Sequence, residues 1–552
     1  MSLLLFEQTW MDVWDGAEPC EPVGAIFTKP EVIALILDLA GYRPDTERLA
    51  SRRLLEPSCG DGAFLVAAIR RLLASERAHR TIIDWHDVDL ECALTACDLN
   101  SGFIAQARQQ VADLLTEEGC PMPRSMALAE RWIVHADFLL AHWPEPFDFV
   151  VGNPPYVRIE DLPAKVLSRY RELYRTSTDR ADLYIAFFEN GLRLLSPHGC
   201  LAFICANRFA KNLYGRTLRQ LIASQFHVRY YLNLEHTQPF ISDVSAYPCI
   251  AVIDRQRGQP TQSATLTNLS PATLHTLAPA TNAPNAKSPL TTFASWYADG
   301  APWISTERAS FDRLAALAQT CPTLESSAPA TVVGIGVATG ADSVYVLPQL
   351  QPDIEPRCQL PLLMAADIRP AALAWSGHYL VNPFSDADDG SLRDLEAYPG
   401  LAAYLLRHRA QIQKRHVAQK RPESWYRTID RVTLALTHRP KLVIPDIQSG
   451  GVVGYDRGEY YPHHNVYWIT STGWDLHALQ ALLRSQIVLE QIRAYSVQMR
   501  GGSIRYQAQV LRQVRVPAAT SLTANLIHRL AAAAPSGNQA QLDALAEEAF
   551  AL

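Results

Sequence analysis

The run Val150-Val151-Gly152-Asn153-Pro154-Pro155-Tyr156 joins an apolar strand to an amide, two prolines and a phenol ring. Consecutive prolines end a strand's hydrogen-bonded ladder and fix φ, so the Asn153 amide and the Pro154 carbonyl are held rigidly at the strand's carboxyl end. Ligands of open α/β sheets sit at such ends. A side-chain amide oxygen beside a backbone carbonyl supplies two acceptors that grip an NH2 group, and Tyr156 adds a stacking face.

Further upstream, Arg53-Leu54-Leu55-Glu56 reads as a strand, Pro57-Ser58-Cys59-Gly60-Asp61-Gly62 as a glycine loop, and Phe64–Leu73 as a helix. The two glycines let backbone approach a ligand closely. Phosphate loops seldom need an acid such as Glu56, whereas a cationic ligand tolerates one. No G-x-x-x-x-G-K-[ST] occurs, which argues against a P-loop ATPase. The next strand ends in Asp98, placed to accept two ribose hydroxyls, and the third is followed by Asp137-Phe138, a carboxylate for an amino group and a ring to cover a base. Each acid alone serves equally well as a helix cap or turn residue. Their succession at three neighbouring strand ends favours a cofactor crevice. Phe27-Thr28-Lys29-Pro30-Glu31 opens the helix Val32–Ala40 with capping-box spacing between Thr28 and Glu31. Such a helix start is suited to a carboxylate.

Stepping along the chain, strands are expected at Arg53–Glu56, Ala93–Cys97, Trp132–His135, Phe147–Val151, Cys200–Cys205, Val228–Leu234 and Cys249–Ile253. Alternating with helical patterns, they predict an α/β domain: a Rossmann-like, seven-stranded, mostly parallel sheet over residues 1–255. Residues 256–300 are rich in Thr, Ala, Pro, Ser and Asn and read as a connector with some β structure. A mixed α+β domain is expected over 301–520, with β-like runs Ala330–Val337, Lys441–Pro445 and Val466–Thr470, and a helical tail over 521–552. The net charge of −6, from 50 Lys+Arg and 56 Asp+Glu, argues against a tail-driven nucleic-acid binder. It hides an asymmetry. Leu401–Pro517 carries 17 basic and 7 acidic residues, a balance of +10 that leaves −16 elsewhere. The start lacks a basic leader region, no apolar run is long enough for a membrane span, and the ten cysteines form no C-x-x-C pair. A cytoplasmic protein without membrane association or a structural zinc is expected.

These motifs, in this order over the first 255 residues, resemble the S-adenosylmethionine-dependent amino-methyltransferases, in particular the TaqI-like (gamma-type) DNA adenine-N6 methyltransferases. The resemblance rests on Phe27-Thr28-Lys29-Pro30-Glu31, Glu56-Pro57-Ser58-Cys59-Gly60-Asp61-Gly62, Asp98, Ala136-Asp137-Phe138-Leu139-Leu140 and Asn153-Pro154-Pro155-Tyr156. It implies S-adenosyl-L-methionine as cofactor, with no metal, held by Thr28, Glu56, Pro57, Gly60, Gly62, Asp98, Asp137, Phe138 and Asn153. It implies a flipped-out adenine of double-stranded DNA held by Asn153, Pro154, Pro155 and Tyr156. A degenerate match, Gln238-Pro239-Phe240-Ile241-Ser242-Asp243-Val244-Ser245-Ala246, implies Phe240 as the second stacking ring.

A target-recognition domain follows the catalytic domain in that family, in keeping with the basic C-terminal half. Arg407, Lys414 and Arg421 recur every seven residues and would form a stripe on one helix; Arg415, Lys420, Arg421, Arg427 and Arg505 are the candidate DNA contacts. Gly501-Gly502-Ser503-Ile504-Arg505-Tyr506 resembles the closing stretch of such recognition domains. None of the seven lysines lies in a [DE]-x-K nuclease motif, so a separate cognate restriction endonuclease is expected rather than a fused one. Competing readings are a methyltransferase for protein glutamine or ribosomal RNA bases, which meets the same chemical problem, and a DNA-binding subunit without catalysis.

Overall fold

The computed structural model describes residues 10–14, 26–80, 82–143, 146–178, 181–244, 247–277, 288–369, 372–496 and 503–551. Ser245, Ala246, Lys287, Gly501 and Gly502 lie outside them. The chain divides into two units, Met1–Arg308 and Ala309–Leu552.

In the first unit the apolar runs become β1 (Leu54–Glu56), β2 (Leu94–Asp98), β3 (Ile133–His135), β4 (Phe147–Gly152), β5 (Leu195–Ala206), β6 (His227–Asn233), β7 (Pro248–Asp254), β8 (Thr261–Thr265) and β9 (Thr291–Phe293). They form one sheet in the order β3-β2-β1-β4-β5-β7-β6-β8-β9. All neighbours from β3 to β5 are parallel, while β7 runs antiparallel between β5 and β6. The sheet is therefore mostly parallel, with nine strands instead of the expected seven. The two additional strands come from residues 256–300. That segment extends the sheet, with β8 parallel to β6 and β9 antiparallel to β8, and is not a free connector.

Strand order reverses between β1 and β4, which opens a crevice at their carboxyl ends. The register Leu54↔Phe149 and Leu55↔Val150 brings Glu56 and the Asn153 turn side by side there. Helix Pro30–Ala40 buries Val32, Ile33, Leu35, Ile36, Leu37, Leu39 and Ala40 in the core and ends at Gly41, whose left-handed φ of 89° lets its N–H cap the last turn. Its N-cap is Lys29, without a side-chain capping bond. The expected Thr28–Glu31 capping box is thus replaced: Thr28 pairs its backbone with Phe240 in a short antiparallel bridge.

In the second unit Val332–Ile335, Val466–Thr470, Lys441–Pro445 and Gly454–Asp456 pair in that order as an antiparallel sheet. A second sheet joins Val346–Leu347, Tyr379–Val381, Gln359–Leu363 and Tyr461–Pro462. Helices Ala524–Ala533 and Gln539–Phe550, expected as a tail, place Leu526, Leu530, Leu542 and Leu545 in the same core as Leu442, Ile469 and Leu479. They belong to this unit. Among the described residues, no helix is long and apolar enough to cross a membrane.

Candidate functional site

A cavity of about 370 Å³ opens at the carboxyl ends of β1, β2 and β4, a size that suits a small-molecule ligand. Thr28, Glu56, Pro57, Gly60, Asp98, Asp137, Phe138, Asn153 and Pro155 line it, so most of the expected cofactor residues converge. Gly62 is not among the lining residues. Its φ of 91° starts helix Ala63–His79, and a Cβ there would stand 3.2 Å from the Ala107 Cβ. Its role is close helix packing in place of the expected ligand contact.

The floor is acidic. Burial pushes the Glu56 carboxyl well above the usual carboxylate range, and nearby Asp61 and Asp98 push it further. Glu56 Oε2 is buried with no hydrogen-bond partner among the described residues. Asp98 accepts the Gly60 and Asn100 N–H groups, each at 2.9 Å; burial still raises it above its ordinary value. The glycine loop is tied to β2 through this carboxylate and through the Cys59 N–H donated to the Cys97 carbonyl, 3.0 Å.

Asp137 differs from expectation. Three donors already hold it: Trp14 Nε1 at 2.9 Å, the Tyr170 hydroxyl at 2.6 Å and the Leu139 N–H at 2.8 Å. A ligand amino group must join or displace them. Trp14 and Tyr170 both line the cavity, and neither carried a sequence signal, because each reaches Asp137 from far along the chain.

The β4 turn is braced on three sides. Asn153 Nδ2 donates to the Ile26 carbonyl at 2.7 Å and to Thr28 Oγ1 at 3.3 Å. The Asn153 carbonyl accepts from Ser58 Oγ at 3.2 Å. Asn153 Oδ1, by contrast, is buried and unpartnered among the described residues. Pro154 is buried, and Tyr156 is half-buried with its hydroxyl unpartnered among the described residues. Phe240 lies beside Tyr156. It is 1% exposed, and its ring meets Tyr156 edge-on at 6.0 Å, which leaves no parallel-faced slot between the two rings. Its backbone bridge to Thr28, flanked by Lys29 N–H to Pro239 O and Ile241 N–H to Phe27 O, both 2.9 Å, makes it a strut for the residues that brace Asn153.

Residues 106–240 match the family model described as Eco57I restriction-modification methylase. The type II methyltransferase M.PaeR7I of Pseudomonas aeruginosa is 44% identical over 93% of this chain and 89% of its own length. M.XhoI of Xanthomonas vasicola is 42% identical over 94% and 95%. The chain belongs to the type II restriction-modification methyltransferases. The fold is also that of the type IIL restriction-modification enzyme MmeI solved with DNA, with a TM-score of 0.63 over 98% of this chain and 75% of that one at 13% identity. DNA methylation within restriction-modification is therefore the activity class of this type II methyltransferase.

Its basic candidates separate into exposed and internal groups. The stretch 399–420 forms three short helices, Pro399–Arg407, Arg409–Gln413 and His416–Lys420, so the stripe of Arg407, Lys414 and Arg421 is not on one helix. Arg415 is extended between two of them and faces inward. It donates to the carbonyls of Ile412, Thr339 and Trp425 at 3.0, 2.7 and 3.0 Å and stacks on Tyr345. These internal partners occupy its guanidinium in this structure. Arg505 is paired with Asp446 at 3.1 Å, and Arg427 has its Nε buried. Lys420 and Arg421 are exposed and carry no ion pair among the described residues.

Arg415→Ala in this methyltransferase is therefore expected to cost roughly 2 kcal/mol of stability through its lost carbonyl partners, about 4–8 °C in melting temperature for a unit of this size. Lys420→Ala and Arg421→Ala should leave the melting temperature unchanged, weaken DNA binding and each lower its salt slope by about one. Calorimetry and binding titrations at several salt concentrations separate the two; an unchanged melting temperature for Arg415→Ala returns that residue to the surface.

Proposed function

We propose that this methyltransferase transfers a methyl group from S-adenosylmethionine to N6 of an adenine flipped out of double-stranded DNA. It would act in the cytoplasm and protect its site from a separate cognate restriction endonuclease. The observation that carries this reading is Asn153. Its amide nitrogen is committed to Ile26, so its oxygen is turned free and buried at the β1/β4 switch point, where an NH2 group can be received.

An adenine amino nitrogen is a poor nucleophile because its lone pair is delocalised into the ring. Accepting its two hydrogens at Asn153 Oδ1 and the Pro154 carbonyl favours a pyramidal nitrogen whose lone pair can point at the methyl group. S-adenosylmethionine supplies that methyl on a sulfonium centre. The chain's part is positioning and electrostatics, which need no metal at the transfer site. Since N6 is paired within a duplex, the base must leave the stack, and Tyr156 replaces part of the lost stacking. The cofactor fits the groups present: Asp61 and Asp98 surround Glu56, whose buried Oε2 has no partner among the described residues, and a sulfonium or ammonium group would balance this acidic cluster.

Cofactor binding should consequently be linked to a proton. Free Glu56 keeps its proton well above its ordinary value of 4.5, whereas an adjacent cation favours the ionised form, so binding expels the proton. Affinity is expected to tighten as pH rises through this window and to level off above it. The free folded state, which holds a proton that the unfolded chain has lost, becomes less stable over the same window. Calorimetry in two buffers of different ionisation enthalpy measures the released proton; Glu56→Gln should abolish it, and equal heats in both buffers for the wild type would remove Glu56 from the cofactor site.

The substrate is decided by incubating the protein with tritiated S-adenosylmethionine and genomic DNA and digesting to nucleosides. Label in N6-methyladenine is expected. Label in cytosine, in RNA or in protein glutamine, or none, sinks the reading.

A further inference from the structure

In the second unit, Asp342, His463 and His464 point one ligand atom each at a common place, all within 4.8 Å of one another. Asp342 Oδ2 lies 3.1 Å from His463 Nε2 and 3.8 Å from His464 Nδ1, and the two imidazole rings are 4.0 Å apart. Donors about 2.0–2.1 Å from a shared ion in a tetrahedral set stand about 3.3 Å apart. The two oxygen–nitrogen distances, 3.1 and 3.8 Å, lie on either side of that spacing. On its other face His463 Nδ1 lies 2.8 Å from Asn465 Oδ1, which orients the ring. His463 Nε2 then faces the Asp342 carboxylate at 3.1 Å. A metal-bound histidine typically donates its second ring N–H to a neighbouring acceptor.

A proton on His463 would answer for one imidazole. It gives no reason for a second imidazole on the same oxygen. We propose that this unit binds one divalent transition-metal ion of the zinc class through Asp342, His463 Nε2 and His464 Nδ1. Two nitrogens and one carboxylate suit zinc and its borderline neighbours, whereas magnesium and calcium prefer all-oxygen sets. The Asp342 and His464 side chains are each 45% exposed, so the fourth position is open to solvent, while His463 is buried and holds the site from below.

The ion clips a loop onto a strand end. Asp342 begins a short helix after the turn at Thr339, whose carbonyl Arg415 grips; His463 and His464 follow Tyr461–Pro462. The two segments are tied by backbone through the Val337 bridge to His463 and the Val337 N–H donated to Pro462 O at 3.0 Å, and by side chains through Asp342 and His463 at 3.1 Å. A metal would add His464 to that side-chain tie.

The test uses tag-free, full-length protein stripped with a chelator. Titration with zinc chloride against a chromophoric competitor is expected to show one equivalent bound, with a higher melting temperature. Cobalt chloride should give the visible bands of nitrogen and oxygen ligation without intense thiolate charge-transfer absorption, which separates this site from the cysteines. His464→Ala and Asp342→Asn, both at exposed positions, should weaken binding about tenfold or more and leave the circular dichroism of the metal-free protein unchanged. No bound equivalent, thiolate bands, or equal affinity in His464→Ala overturns the proposal.

Discussion

Asn153→Ala is expected to lower the rate of methyl transfer at least about 100-fold, the scale on which loss of one preorganised polar partner acts, while cofactor binding partly survives. The residue has two separable jobs. Its nitrogen anchors the turn to Ile26 and Thr28, and its oxygen is the free acceptor. Alanine removes both. The backbone clamps remain, since Ser58 still bonds the carbonyl of residue 153 and the prolines still fix φ. Glu56 and Asp98 lie on other strands, so the acidic floor stays in place. Single-turnover transfer from labelled cofactor, with cofactor affinity measured in parallel, distinguishes the roles. Unchanged single-turnover rate would remove Asn153 from the mechanism, and loss of cofactor binding equal to the loss of rate would make it a cofactor residue alone.

Lys441→Ala should produce the largest loss of stability in the second unit. Lys441 and Asp456 face each other across paired strands with Nζ to Oδ2 at 2.7 Å, and both side chains are fully buried. Nζ also donates to the carbonyls of Leu436 at 2.9 Å, Arg439 at 3.2 Å and Thr437 at 3.4 Å. Burial pulls the lysine below its ordinary range and Asp456 opposes that pull. Asp456 in turn receives the N–H groups of Gly458 and Glu459 at 3.0 and 2.9 Å. Removing the lysine leaves a buried carboxylate without its counter-charge and three carbonyls without this donor. Breaking one side of such a pair costs about 3–5 kcal/mol, about 10 °C in melting temperature for a unit of this size. Replacing both partners at once, Lys441→Met with Asp456→Leu, should recover much of the loss because no lone charge stays buried. Thermal melts of the single and double variants decide it; a single variant that melts with the wild type would show that water reaches the pair.

The strands of the first unit were legible because each is an apolar run that stops at a small or polar residue. Lys441–Pro445 and Val466–Thr470 have the expected bounds for the same reason. Some β structure was expected in residues 256–300, but not that it joins the sheet: β8 is built of Thr, Gln, Ser and Ala and β9 is only Thr291–Phe293, and the burial of Thr261 and Ser263 comes from strand pairing, which no local pattern announces. The basic stripe misled through spacing. Seven-residue recurrence implies one face only if the helix is unbroken, and Arg415 interrupts it by bonding to Thr339, 76 positions away.

At the site the division is sharper. The residues themselves determined which types end which strands: a carboxylate after β1, another at the end of β2, an amide and two prolines after β4. Local chemistry suffices there, since proline ends a ladder and glycine permits a turn wherever they occur. Only the tertiary structure decided which of those atoms are still free. Asp137 is taken by Trp14 and Tyr170, Gly62 by Ala107 and Phe240 by the core, whereas Asn153 Oδ1 and Glu56 Oε2 have no partner among the described residues. The partners that make this difference lie 123 positions away for Asp137 and 127 for Asn153. Hydrogen-bond satisfaction across such distances is set by packing, and the two atoms it leaves without a partner among the described residues at this cavity are the ones the proposed function assigns to the base and the cofactor.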